Sequence, residues 1–329
     1  MAAFPVSDHC DGRRFFNPHG RTDRSIRDLL RWWREGGARP WPRRLAREPD
    51  RSPLPGVNQG AVAFTFIGHS TFLIRTSTFA CITDPVFTTH AGPFGIFGPR
   101  RVRPPARTVD ALPSIDAVLL SHNHYDHLQP RSLRAIVSRS SAVVVAPLGL
   151  GRFLRRHGAR QVVELDWWES TRVKEASITA VPAQHFSART PWDRNRSLWC
   201  GYVIETPDAT VYFVGDSGYS PDFRRIGERF PRVDAALVPI GAYEPRWFMK
   251  PMHVNPAEAV QIHLDVQPAV SLAMHFGTFR LTDEGIDEPV RALEQARAEA
   301  GVDPAAFRVL EWGETVRLPG VRVERVADP

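Results

Sequence analysis

From Ala61 onward, short apolar runs recur along the chain. Runs at 61–67 (AVAFTFI), 71–75, 79–83, 116–120 (DAVLL) and 142–146 (AVVVA) read as strands, and helical periods lie near 130–138 and 149–157. A second series follows, with strands near 161–165, 171–174, 177–182, 198–206, 209–214 and 235–239 and a helix near 221–230. The last stretch predicts a helix at 256–265, a strand at 269–274, a helix at 287–300 and strands near 307–310 and 314–318. Two successive halves each mix strands with helices, and several adjacent strands look hairpin-linked. That pattern fits an α/β fold of mixed sheets covered by helices better than a pure parallel βαβ series.

Residues 1–60 have a different texture, rich in Arg, Pro, Gly and Trp. One segment, Ser25 to Glu35, has helical period, with Ile26, Leu29, Leu30 and Trp33 on one face and Arg24, Arg27, Arg31 and Arg34 elsewhere. Gly36 and Gly37 stop it. Two readings stand: the apolar face packs on the domain behind it, or the helix rests on an anionic membrane surface.

Composition narrows the class. Of 329 residues, 43% are hydrophobic and 24% charged, which excludes wholesale disorder and fibrous architectures. No run of about 18 apolar residues suggests a membrane span, and the start lacks the basic and apolar regions of a secretory signal. Three cysteines, Cys10, Cys81 and Cys200, are far apart and odd in number, which fits a reducing cytoplasm. The net charge of +6 is uneven: residues 1–60 hold twelve arginines against seven acids, leaving the rest nearly neutral. A near-neutral body argues against a nucleic-acid partner. Lys174 and Lys250 are the only lysines. The arginine excess reads as codon bias or as a surface for anionic lipid or phosphate.

The chemistry concentrates at 121–127, Ser-His-Asn-His-Tyr-Asp-His, directly after an apolar strand. Alternate residues on a strand share a face, so His122 and His124 can grip one ion, while Asp126 and His127 reach a neighbouring position. Four such groups do not complete two metal shells. Further candidates also follow apolar runs: His185 after ITAVPAQ, Asp216 after VYFVG and His275 after AVSLAM. His69 and Asp84, just after short strands, are candidates for orienting the ligands.

These residues make a family visible. The order HxHxDH, His, Asp, His resembles the metallo-β-lactamase superfamily, an αββα sandwich with a two-metal site. TFIGHST at 65–71, ITDPVF at 82–87, GPRRVRPPA at 98–106, SHNHYDHL at 121–128, ELDWWE at 164–169 and GAYEPRWFMK at 241–250 are similar to N-acyl-phosphatidylethanolamine-hydrolysing phospholipase D. The similarity runs from about Phe64 to Trp312, so residues 1–60 are expected as a basic extension packing on core or membrane, and 61–329 as the hydrolase domain.

The resemblance implies two zinc ions, with iron or manganese as alternatives. It assigns His122, His124 and His185 to the first, Asp126, His127 and His275 to the second, and Asp216 as a bridge. It implies attack of metal-bound hydroxide on phosphorus, with Asp126 and Asp216 in the reaction centre, and release of phosphatidic acid and an N-acylethanolamine. It places His253 at the phosphate or the leaving group, and Tyr243, Trp247 and Phe248 as candidates to line an acyl groove. Expected partners are a phospholipid or small phosphodiester substrate and a peripheral membrane contact on the inner face, with a homodimer left open. Hydrolysis of a lactone, thioester or other small ester in the same fold is the alternative. No G-x-S-x-G nucleophile motif occurs.

Overall fold

A strand covered on both faces needs apolar side chains at nearly every position, and runs such as AVVVA meet that need. In the computed structural model, which describes residues 4–319, these runs form two seven-stranded mixed sheets. Residues 1–3 of the expected extension and 320–329 of the expected hydrolase domain lie outside the described residues. The strands are β1 (Ala61–Gly68), β2 (Thr71–Arg75), β3 (Ala80–Thr83), β4 (Ala117–Leu119), β5 (Val143–Pro147), β6 (Gln161–Leu165), β7 (Ser170–Val173), β8 (Ala176–Val181), β9 (Gly201–Glu205), β10 (Thr210–Phe213), β11 (Ala235–Pro239), β12 (Val270–Met274), β13 (Phe307–Arg308) and β14 (Thr315–Pro319). The first sheet runs β14-β1-β2-β3-β4-β5-β6 and the second β13-β12-β11-β10-β9-β8-β7. In each, an antiparallel part passes into a parallel part: at β3–β4 in the first sheet, at β10–β11 in the second.

The helices are α1 (Ile26–Glu35), α2 (Pro130–Val137), α3 (Gly151–Arg156), α4 (Asp222–Arg229), α5 (Arg246–Met249), α6 (Pro256–Val266) and α7 (Glu288–Ala300). Side chains of period two divide the burial. Phe64, Phe72, Ile74 and Leu119 of the first sheet join Tyr202, Ile204, Phe213 and Leu272 of the second in one core between the sheets. Leu73, Ile82, Val118 and Val144 face the other way and pack with Leu133, Ile136 and Leu154 of α2 and α3. The result is an αββα sandwich.

The differences from the sequence reading have local causes. The strand expected over 198–206 begins only at Gly201, because Leu198 and Cys200 donate to Leu148 and Ser121 of the first sheet's loops. Helix α5 was not expected; four residues after Pro245 are too few to show a period.

Residues 4–22 lie on the sandwich. Cys10 and Phe15 are buried in its core, and His9 stacks on Trp167 with 4.3 Å between centroids. Helix α1 does not bury its apolar face. Ser25 caps it in a capping box with Asp28, yet Ile26, Leu29, Leu30 and Trp33 are 77%, 50%, 54% and 81% exposed. The expected packing of these four residues on the domain is therefore not what holds the helix. Trp32 holds it instead, donating to Asp283 Oδ2 at 2.7 Å and packing its ring against Phe248.

Candidate metal centre

The ligand candidates stand on loops after strand C-terminal ends, where both sheets open on one rim. The tight turn from β1 to β2 places His69 in left-handed backbone, φ 59°. Asp84 after β3 (φ 32°), Ala242 after β11 (φ 62°) and His275 after β12 (φ 60°) share that region, which non-glycine residues rarely occupy. Gly215, just before Asp216, has φ +69°, and a side chain there would meet Cys200 O at 2.9 Å and Ser121 Cβ at 3.0 Å.

After β4 the chain runs extended to His124 and then turns, with Leu128 N–H donating to His124 O at 2.8 Å. The turn carries Asp126 and His127 to the side opposite His122 and His124. Arg189 braces it, donating from one nitrogen to Asn123 O and Leu128 O, both at 2.7 Å, with its guanidinium 4.0 Å over the Tyr125 ring.

Hydrogen bonds behind the site fix the tautomers. Asp84 Oδ2 accepts His127 Nδ1–H at 2.6 Å and Ser121 Oγ–H at 2.5 Å. Having donated its proton to Asp84, Ser121 Oγ accepts His122 Nδ1–H at 2.8 Å. His185 Nδ1–H donates to Met252 O at 2.8 Å. His122, His127 and His185 therefore all turn Nε2 inward.

Two groups of donor atoms result. In the first, His124 Nδ1 lies 2.9 Å from His122 Nε2 and 3.2 Å from His185 Nε2. In the second, Asp126 Oδ2 lies 3.3 Å from His127 Nε2, 3.5 Å from His275 Nε2 and 3.1 Å from His69 Nε2. Asp216 Oδ2 sits between them, 3.0 Å from His127 Nε2, 3.1 Å from His275 Nε2, 4.0 Å from His122 Nε2 and 3.9 Å from His185 Nε2. His253 Nδ1 is 4.0 Å from the same oxygen.

These residues fit a pair of cations. Three imidazole lone pairs converge with no carboxylate among them, an arrangement that a shared cation satisfies. Asp216 Oδ1 is buried without a hydrogen-bond partner, and the inward Nε2 atoms of His127 and His275 are close to Asp216 without hydrogen-bond geometry. Burial and neighbouring imidazoles hold His124 down to about 3, and burial holds His185 down to about 4, so both keep a lone pair. Burial raises the Asp126 and Asp216 carboxyls, but His127 and His275 outweigh it and hold both well below the usual range. The donor set, imidazole with carboxylate, suits zinc and its neighbours.

Among the other candidates, His69 touches Asp126 and packs at a tilt against His275, 4.1 Å between centroids. Phe248 lines the cleft above the site. Tyr243 is buried behind it, and Trp247 turns away from it to donate to Glu35 and lie under Arg31. The cleft, about 330 Å³, has His124, Asp126, Asp216 and His253 at its floor, an apolar wall including Leu29, Trp32, Phe186, Met249 and Leu281, and Arg24 and Arg194 at its edge. The sequence reading missed Ser121, Arg189, Phe186 and Leu281. Ser121 and Phe186 adjoin ligand candidates, but nothing in the pattern marked the other two.

Comparison with known proteins agrees with this architecture. The profile of the Beta-lactamase superfamily domain matches residues 81–276. An uncharacterised protein of Mycobacterium tuberculosis is 40% identical over 278 residues, covering 82% of this chain and 71% of its own. N-acyl-phosphatidylethanolamine-hydrolyzing phospholipase D 1 of Caenorhabditis elegans is 36% identical over 263 residues, 76% of this chain and 74% of its own. In fold, the chain is similar to the solved structure of a novel metallo hydrolase from Ignicoccus hospitalis, with TM-score 0.60 and 23% identity over 78% of this chain and 98% of that one.

Proposed function

This chain belongs to the β-lactamase superfamily and is a metal-dependent hydrolase, and from that premise we propose that it is a dinuclear phosphodiesterase acting on phospholipids of the N-acyl-phosphatidylethanolamine kind. The observation that carries the reading is the make-up of the cleft. A floor of cation-binding groups, an apolar wall and an arginine edge match a molecule with a phosphodiester, an acyl chain and anionic charge. The worm relative, named for hydrolysis of such a lipid, supports the substrate class.

Two divalent ions, zinc the best match to these donors, would be held by His122, His124 and His185 and by Asp126, His127 and His275, with Asp216 serving both. Bound there, they supply Lewis acidity, lowering the pKa of water to about 7 and drawing charge from a phosphoryl oxygen. The chain does the rest. Asp84, Ser121 and Met252 O hold imidazole protons on Nδ1, so that the inward nitrogens stay available. His69 holds the Asp126 carboxylate in place. His253, beside Asp216 and bordering the cleft, contacts the phosphate or hands a proton to the departing alcohol. The wall seats the first part of an acyl chain. The products are phosphatidic acid and an N-acylethanolamine.

A cleft of about 330 Å³ cannot take all the chains of such a lipid. The remainder stays in the bilayer, and the enzyme works docked on its surface. Leu29 belongs both to the exposed face of α1 and to the cleft wall, so the docking face meets the mouth of the site. Arg27 and Arg34 flank that face for anionic headgroups. Among the described residues, no helix is long and apolar enough to cross a membrane.

The test is metal analysis joined to a substrate screen of N-acyl-phosphatidylethanolamine, an aryl phosphodiester and nitrocefin. Two ions per chain and kcat/KM highest for the phosphodiesters are expected. A larger kcat/KM for nitrocefin than for every phosphodiester would overturn the reading.

A further inference from the structure

We propose that Asn17 is a positioning residue of the metal centre, and that the N-terminal segment 4–22 is thereby a built-in part of the site. His185 lies just beyond the end of β8, where its strand ladder has stopped, and its side chain is wholly buried. Its backbone N–H and C=O need partners that the sheet does not give. Asn17 supplies both. Its Oδ1 accepts His185 N–H at 3.1 Å, and its Nδ2 donates to His185 O at 2.8 Å. A side-chain amide pairs with both groups of one residue, as a peptide of a neighbouring strand would.

The amide itself is held on every side. Oδ1 also accepts Trp199 Nε1–H at 3.1 Å, and the second Nδ2 hydrogen reaches Thr22 Oγ1 at 3.2 Å. All four of its hydrogen-bonding positions are used, so its orientation is unique. Trp199 is buried and also donates to Ala183 O, which ties the amide to the strand end that carries His185. Thr22 Oγ1 adds a longer contact of 3.3 Å to the same carbonyl.

Met252 O holds the ring of His185, and Asn17 holds its main chain. Together they set where Nε2 points. The other ligands of that group, His122 and His124, sit on a loop that does not contact Asn17 through any described hydrogen bond. The effect of Asn17 therefore falls on the three-histidine group. The anchorage of the segment upstream, through Cys10 and Phe15 in the core, keeps Asn17 in place.

The inference rests on the reading of the two donor groups as a metal centre, and the test separates the two. Apo protein is titrated with Co²⁺ while its visible d–d bands are followed, for the parent, Asn17→Ala, Asn17→Asp and Thr22→Val. The parent should take up two ions in resolvable steps. Asn17→Ala should weaken one step by about 10–100-fold and change its band shape, with the other step unmoved. Asn17→Asp, which keeps the acceptor but sets a second oxygen against His185 O, should weaken the same step. Thr22→Val should change it least.

A parent that binds two ions but hydrolyses no lipid leaves this inference standing and removes the proposed substrate. A parent that binds none removes both. Parental affinity at both steps in the Asn17 variants, or equal loss at both steps, overturns the positioning role. So does failure of both Asn17 variants to fold, which makes the residue a folding contact.

Discussion

Asp84 accepts the Nδ1 proton of His127 at 2.6 Å, and both side chains are entirely buried. The same carboxylate takes both the N–H and the hydroxyl of Ser121, which in turn orients His122. One side chain behind the site thus sets the tautomer of a candidate ligand in each donor group. Asp84→Asn suits the φ of 32°, since Asn tolerates left-handed backbone. It removes the charge and one acceptor. We expect about 10–100-fold weaker metal binding, felt in both steps of a metal titration, with circular dichroism unchanged. Loss in one step alone would mean that Ser121 orients His122 unaided.

Asp216→Asn should abolish turnover while the fold survives. Its Oδ2 is the atom nearest to both donor groups, and an amide cannot replace its charge there. Far-ultraviolet circular dichroism and kcat measured side by side decide it; a near-parental kcat excludes Asp216 from the reaction centre.

His69→Asn tests the contact to Asp126 without adding strain at φ 59°. Activity or metal affinity should fall about 10–100-fold. If neither changes, the contact does nothing for Asp126, and His69 serves only the turn from β1 to β2.

Membrane docking should depend on the outward face of α1. Trp33→Ser with Leu30→Ser, and separately Arg27→Glu with Arg34→Glu, should reduce co-sedimentation with anionic vesicles. Each arginine is worth about 1 kcal/mol near an anionic surface, less at high salt. Arg31 is a poor choice, because it is engaged with Glu35 and Trp247. None of Arg27, Leu30, Trp33 and Arg34 is buried in the core, so melting temperatures should hold. Parental sedimentation by both double variants would move the docking surface elsewhere.

The N-terminal segment should be pH-sensitive through His9. Burial lowers the tendency of this imidazole to charge, but the carboxylates of Asp166 (2.7 Å) and Asp8 (2.6 Å), one on each ring nitrogen, outweigh burial and raise its pKa. A raised folded pKa means stability that is fully present below about pH 6.5, the unfolded value, and lost as the pH climbs through the raised one. The melting-temperature difference between parent and His9→Gln should therefore be larger at pH 5.5 than at pH 9. An equal difference at both would assign His9 a packing role only, against Trp167.

The strands were legible in the sequence because nearly every one is an apolar run between turn residues, and the ends fell within a few positions of those expected. The candidate ligands were legible for a related reason: a His or Asp directly after such a run can only sit on the sheet's rim. Contacts made by chain distant in sequence were not. Nothing in Arg-Arg-Phe-Phe-Asn-Pro-His shows that its Asn meets a strand end 168 residues away. Nor does an apolar helical stripe reveal which way it faces. The stripe of Ile26, Leu29, Leu30 and Trp33 has the period of a packed helix, yet Trp32 on another face packs it, with Arg31 and Glu35 held against Trp247.

The ligand candidates divide between the two sheets: His122, His124, Asp126 and His127 follow β4 of one, and His185, Asp216 and His275 follow β8, β10 and β12 of the other. Ions held by both would work as rivets through the open edge of the sandwich. A ligand that binds only the closed form at a thousandfold excess over its Kd adds about 4.1 kcal/mol. Chelation should then unfasten that rim first, and amide exchange should quicken in the loops after β4 and β10 well before it does in Phe64 or Phe213 at the centre.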